Sequence, residues 1–370
     1  EPPLGSGPYK VVAVEAGRFI TYERVEDYWG RELPVNKGRY NFDRVHFDFY
    51  RDQTVAIEAL KAGEFDYRSE NSSKDWATAY SVPALEEGRL IKEHINHRRA
   101  TGMQAFWLNT RRPQFADKRV RQALAYAFDF EWTNKNLFYD LYARSESYFS
   151  NSELASNGLP QGRELAILEM YRGRVPNEVF TQAYQPPTTD GSGNIRANLR
   201  TAKKLLDEAG WKVVDGALKN EKTGAAMDLE ILFNRASWER IAAPMVANLQ
   251  RLGIEATIRI VDRSQYQNRV QDFDYDLIMA VQGQSHSPGN EQSNYWTSAS
   301  AVEKGSRNFA GVKDPVVDEL VEKIIAASDR AELVATTRAL DRVLLWGHYT
   351  IPNWYSKSFR VISWDKFGKP

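Results

Sequence analysis

Gln104-Ala105-Phe106-Trp107-Leu108-Asn109 is followed, across Thr110-Arg111-Arg112-Pro113-Gln114-Phe115-Ala116, by Asp117-Lys118-Arg119-Val120-Arg121-Gln122-Ala123-Leu124-Ala125-Tyr126-Ala127-Phe128-Asp129-Phe130. The first six residues form a short, mostly apolar run, which reads as a strand in a buried sheet. In 117–130, Val120, Ala123, Leu124 and Ala127 recur at helical spacing and mark one apolar face. A buried strand followed by an amphipathic helix is the unit from which α/β domains are built.

The same pattern extends in both directions. Upstream, a Gly5-Ser6-Gly7-Pro8 turn leads into strands at 9–14 and 19–25 joined by Ala16-Gly17-Arg18, with a third strand at 45–50. Residues 52–62 predict a helix, capped by Asp52, striped by Val55, Ala56, Ala59 and Leu60, and stopped by Gly63. A strand is expected at 65–67. Downstream, 140–196 is rich in Gly, Pro, Ser and Asn and reads mostly as loop, with a helix near 164–171. Helices at 199–209 and 239–252 alternate with strands at 229–233, 256–261 and 277–281. Helices at 315–327 and 330–347 precede final strands at 351–355 and 359–362.

The composition narrows the function classes. A chain of 370 residues accommodates two or more domains. Lys+Arg and Asp+Glu both number 49, which argues against a nucleic-acid binder. With no cysteine, thiol catalysis and cysteine-ligated metal are excluded. The five histidines (His46, His94, His97, His286, His348) lack metal-ligand spacing, so no metal or cofactor is expected. No GxSxG, Walker or dinucleotide fingerprint occurs, and Asp190-Gly191-Ser192-Gly193-Asn194 reads as a plain turn. The 10 Trp, 18 Tyr and 17 Phe are core residues by default, and they also suit a roomy ligand cavity. These signals leave no enzyme signature, and no enzyme is expected. A hydrolase is the alternative of another class.

Four segments resemble the family 5 extracellular solute-binding proteins, the dipeptide, oligopeptide and nickel binders. They are Gly5 to Tyr9 with Tyr22 to Trp29, Ala56 to Asp66, Leu108 to Asp129, and Ala202 to Gly210. Gln284-Ser285-His286-Ser287-Pro288-Gly289-Asn290-Glu291-Gln292 and Gly38 to Asp43 are similar to the Yej-type subfamily, associated with peptides and the peptide-nucleotide antibiotic microcin C. The resemblance implies a periplasmic binding protein-like type II α/β fold of two lobes with a hinge. Residues 1–97 would be a partial lobe I, 98–350 lobe II, and 351–370 the return to lobe I, with the chain a fragment of a longer protein. It further implies a monomeric periplasmic component of an ABC importer that closes on a peptide or peptide-like ligand, murein peptides included, and delivers it to an inner-membrane permease. An oligosaccharide binder of the same fold is the alternative. The ligand-binding residues expected on this basis are Trp107, Asn109, Gln282, Gln284, Ser285, His286, Trp354 and Tyr355. Oligopeptide binders carry an acid at the position of Ser285 to pair with the ligand's amine; here Glu291 is the nearby acid that would substitute.

Overall fold

A computed structural model describes residues 3–368. Two compact units are formed, one from 1–95 and 359–370, the other from the continuous segment 96–358.

In the first unit, strands Tyr9–Glu15, Phe19–Arg24 and Arg44–Asp48 form an antiparallel sheet in chain order. Helix Gln53–Ala62 follows. The Asp52 carboxylate accepts from the amides of Thr54 and Val55, and Gly63 ends the helix at φ 79°. Ala56, Ala59 and Leu60 are buried as expected, with Ile57 added to them, whereas Val55 is exposed. A second sheet sets Ser358–Trp364 between Tyr67–Ser69 and Leu90–Asn96. Beside it, buried Glu70 accepts from the Tyr80 hydroxyl (2.6 Å), Arg68 Nε (3.0 Å) and the Ser72 amide (2.7 Å).

The second unit is built on a five-stranded sheet in the order Glu255–Ile260, Asp228–Phe233, Leu277–Gln282, Met103–Leu108, Thr350–Pro352. Met103–Leu108 runs antiparallel to both its neighbours, and the first three strands are mutually parallel. The carboxyl ends of four strands and the amino end of Met103–Leu108 therefore share one end of the sheet. Strand alternation sorts the core into two layers. Phe106, Leu108, Leu229, Ile231, Phe233, Leu277 and Ile351 face helices Lys118–Ala125, Arg196–Glu208 and Glu239–Arg251. Met103, Ala105, Trp107, Leu232 and Ile278 face helices Pro315–Ile325 and Arg330–Trp346. Each fully buried Leu, Ile or Phe contributes about 1.5–3 kcal/mol over leaving it in water.

Three sequence expectations change. The single helix expected at 117–130 is two, Lys118–Ala125 and Phe130–Leu137, because the Asp129 carboxylate caps the second through the Trp132 amide (3.0 Å). Helix Arg263–Gln271 has no buried residue and so left no apolar stripe to read. Residues 351–358 stay in the second unit: Thr350–Pro352 bonds to Met103–Leu108, and Trp354–Tyr355 pairs with Ala143–Arg144.

The long segment 140–196 is largely irregular, as read, yet it is pinned to helix Arg330–Trp346. Buried Asp341 accepts from Ser147 Oγ (2.8 Å), the Tyr148 amide (2.7 Å), the Ser156 amide (2.9 Å) and Ser156 Oγ (2.7 Å). Arg342 Nε meets Glu164 at 2.8 Å with both side chains buried, and its other nitrogens donate to the carbonyls of Gly158 and Asn157. Arg121 caps the end of the same helix by donating to the Gly347 carbonyl, where a cation is favoured. Among the described residues no helix is long and apolar enough to cross a membrane.

Candidate ligand-binding site at the carboxyl end of the sheet

In open α/β sheets, ligands bind outside the carboxyl ends of the strands. In the second unit that end carries the loops after Phe233, Ile260 and Gln282, the segment after Pro352, and the chain entering at Met103. Here the sequence-predicted residues divide.

Gln282, Gln284, Ser285, His286, Trp354 and Tyr355 all belong to this end. Gln282 closes its strand opposite Met103; it is 1% exposed, and neither its side-chain nitrogen nor its oxygen has a hydrogen-bond partner. Gly102 lies hard against it, at φ 69°, where a Cβ would stand 2.1 Å from the Gln282 carbonyl oxygen. Gln284 is engaged: its Oε1 accepts from Gln292 Nε2 at 2.7 Å, and Gln292 Oε1 accepts from Trp296 Nε1 at 2.9 Å. Ser285 is exposed and its hydroxyl accepts from the Ser287 amide. His286 is exposed, and its carbonyl accepts from Arg330. Glu291 accepts from the Gly289 amide and from Gln292, and so braces the loop. Trp354 is buried against Phe138, ring centroids 4.5 Å apart. Tyr355 is half-buried beside it, and burial raises its hydroxyl above the usual phenol range.

Trp107 and Asn109 stand elsewhere. Trp107 is fully buried among Tyr148, Trp296 and Phe309, and its indole N–H is spent on the Ala280 carbonyl at 3.0 Å. Asn109 follows the opposite end of the strand, about 20 Å from Met103 at roughly 3.3 Å per residue. Its Nδ2 donates to the carbonyls of Tyr275 (2.8 Å) and Phe273 (3.0 Å), and its Oδ1 accepts from Arg111 Nη1 (2.9 Å). The two side chains serve packing and loop closure, and neither has a polar atom left for a ligand.

Four residues that sequence reasoning missed join Gln282 at this end. Asn353 is fully buried with both side-chain amide atoms unpartnered. Its backbone N–H donates to the Gln104 carbonyl (2.9 Å), and its carbonyl accepts from the Ser145 amide (3.1 Å). Gln104 Nε2 and Ser145 Oγ are also buried and unpartnered. So are all three side-chain nitrogens of Arg144, which pairs across strands with Trp354. Burial lowers the Arg144 guanidinium to about 10, so it stays charged at neutral pH. More than nine in ten buried polar groups in folded proteins are hydrogen-bonded, so Arg144, Ser145, Asn353 and Gln104, joined by strand pairing at one sheet end, mark a place prepared for another molecule, whereas Gln282, paired with Met103, lies on the other face of the sheet. The one sequence signal was a polar Asn353 inside an otherwise apolar Ile351-Pro352-Asn353-Trp354 run. Arg144, in a stretch read as loop, gave none.

The comparisons with known proteins fit this architecture. The bacterial extracellular solute-binding proteins, family 5, match over residues 1–304, and the chain belongs to that family. It is 47% identical, over its whole length, to 61% of a probable peptide-binding protein, YejA, of Agrobacterium fabrum. It is 44% identical, again over its whole length, to 61% of an uncharacterized YejA of Escherichia coli. The chain thus spans less than two-thirds of these relatives. Among solved structures, the oligopeptide-binding protein AppA of Bacillus subtilis, in complex with a nonapeptide, matches 99% of this chain and 64% of its own at TM-score 0.71 and 22% identity. The fold is the type II periplasmic binding-protein fold, as the sequence resemblance implied.

Proposed function

We propose that this protein is the substrate-binding component of a bacterial ABC importer that captures peptides or peptide-like compounds in the periplasm and hands them to a membrane permease, acting as a monomer and without catalysis. The observation that carries the reading is the set of unspent side chains at the carboxyl end of the sheet, the Asn353 amide with Gln104 Nε2, Ser145 Oγ and Arg144. The Asn353 amide offers one acceptor and one N–H₂ donor, the complement of a peptide unit's N–H and C=O. Main-chain recognition of this kind gives affinity with little side-chain selectivity. The probable peptide-binding YejA of Agrobacterium fabrum supports the same class of ligand.

Native mass spectrometry of the protein as purified tests the reading. Retained masses that fragment as peptides are expected. Retained oligosaccharides, or turnover of a peptide by the purified protein, would overturn it.

A further inference from the structure

We propose that Arg144 holds a carboxylate of the bound ligand, an inference that rests on the peptide-binding reading above and deepens it. Arg144 is 9% exposed, and its guanidinium lies 5.2 Å from the Phe128 ring and 5.1 Å from the Phe130 ring. Nε, Nη1 and Nη2 are all buried without a hydrogen-bond partner. An arginine side chain carries five N–H donors in a planar fork that matches a carboxylate. A buried ion left without partners is costly, so such a side chain persists where something completes it.

The protein's own acids do not complete it. Asp129, Glu131 and Glu146 attract the guanidinium through space, and Tyr184 also faces it. Asp129 Oδ1 accepts from the Trp132 amide (3.0 Å) and Thr189 Oγ1 (2.6 Å), and Glu131 Oε2 accepts from the Thr189 amide (3.0 Å). These contacts tie the two carboxylates to the Thr189 loop. Asp129 Oδ2 is unpartnered but makes no bond to Arg144. Glu146 is exposed. Strand pairing sets Arg144 opposite Trp354, next in the chain to Ser145, whose amide donates to the Asn353 carbonyl; the side chains of Ser145 and Asn353 are also unspent. The three unpartnered guanidinium nitrogens carry the one positive charge of this set, which favours an anionic, acceptor-rich group over a neutral one.

Affinity selection from tetrapeptide libraries decides the matter. One library carries free terminal carboxylates. A second has terminal amides and lacks Asp and Glu, so it bears no carboxylate. The wild type is expected to retain members of the first at least about tenfold better than the second, the range for a hydrogen bond to a charged group. Arg144→Gln is expected to abolish that preference while still retaining amides. A third library, of amides that include Asp and Glu, separates the two carboxylate sources. Recovery of the preference there identifies a side-chain carboxylate, and its absence a terminal one; both support the proposal. Should Arg144→Gln not fold, Arg144→Lys, which keeps the charge without the fork, is expected to reduce the preference. Equal retention of the first two libraries by the wild type, or an unchanged preference in Arg144→Gln and Arg144→Lys, would overturn the proposal and leave Arg144 a counter-ion of Asp129 and Glu131. A wild type that retains no peptide from any library removes the peptide reading itself, and the subsite with it.

Discussion

Replacing His348 by Asn should shift the pH dependence of stability in favour of acid. His348 follows the carboxyl end of helix Arg330–Trp346 at φ 50°, a left-handed conformation that Asn tolerates. Its ring lies 6.0 Å from that of Tyr184 and 5.9 Å from that of Trp346. Burial, with the Arg121 and Lys118 charges, pushes its pKa down from 6.5 to about 3. Below pH 6.5 the unfolded chain takes up a proton that the folded one refuses, so acid costs stability until the folded pKa is reached. From pH 7 to pH 5 the loss is RT ln[(1+10^1.5)/(1+10^−0.5)], about 2 kcal/mol. Asp341 works the other way. Burial raises it from 3.8 to about 6 against its four hydrogen bonds. The folded form therefore protonates first, and the same change of pH returns about 1 kcal/mol. In the wild type the two oppose each other. In His348→Asn the Asp341 contribution is no longer opposed by His348, and the difference between pH 5 and pH 7 should move by about 2 kcal/mol towards stability in acid. Urea unfolding at the two pH values, followed by tryptophan fluorescence, measures this. The remaining groups are common to both proteins, so the double difference isolates His348. A double difference below about 0.5 kcal/mol would refute the view that His348 is held neutral.

Three further outcomes follow from the packing. Trp107→Ala should cost about 3–5 kcal/mol in urea unfolding, as a large core deletion, and a small loss of stability accompanied by a large loss of affinity would return Trp107 to the site. Glu164→Gln leaves Arg342 buried without its counter-charge; a loss of about 3–5 kcal/mol is expected, and a neutral result would show that the carbonyls of Gly158 and Asn157 suffice. Gly102→Ala sets a methyl group 2.1 Å from the Gln282 carbonyl oxygen, so it should shift the end of that strand and lower the melting temperature. An unchanged melting temperature would mean that the approach relaxes freely.

Much of the fold was legible because it is written in local signals. Asp52, Asp117, Asp314 and Asp329 cap the helices that begin beside them, and Gly63, Gly210 and Gly253 stand at positive φ where helices were read to stop. The site was less legible. Period two places Trp107 and Asn109 on one face of a strand, but it does not say which end of the strand is open. The places of Gln282 at a strand end and of Trp354 at a chain crossing were readable from the strand pattern. Arg144 was not, since its burial is set by Phe128 and Phe130 and by Trp354, more than two hundred residues later. The tether from Asp341 and Arg342 to the 147–164 segment is equally non-local: nothing near Asp341 in sequence shows that its partners are serines almost two hundred residues upstream.

The sheet that sets Ser358–Trp364 between Tyr67–Ser69 and Leu90–Asn96 has a consequence for biosynthesis. Its middle strand leaves the ribosome after both of its partners, separated from them by the 263 residues from 96 to 358 that form the second unit. At 5–20 residues per second that interval is roughly 13–53 s. For all of it the two flanking strands wait with unpaired edges, open to adventitious pairing. The first unit is therefore completed only after the second has been made, and its strands at residues 67–96 stand to gain from a holding factor in that interval.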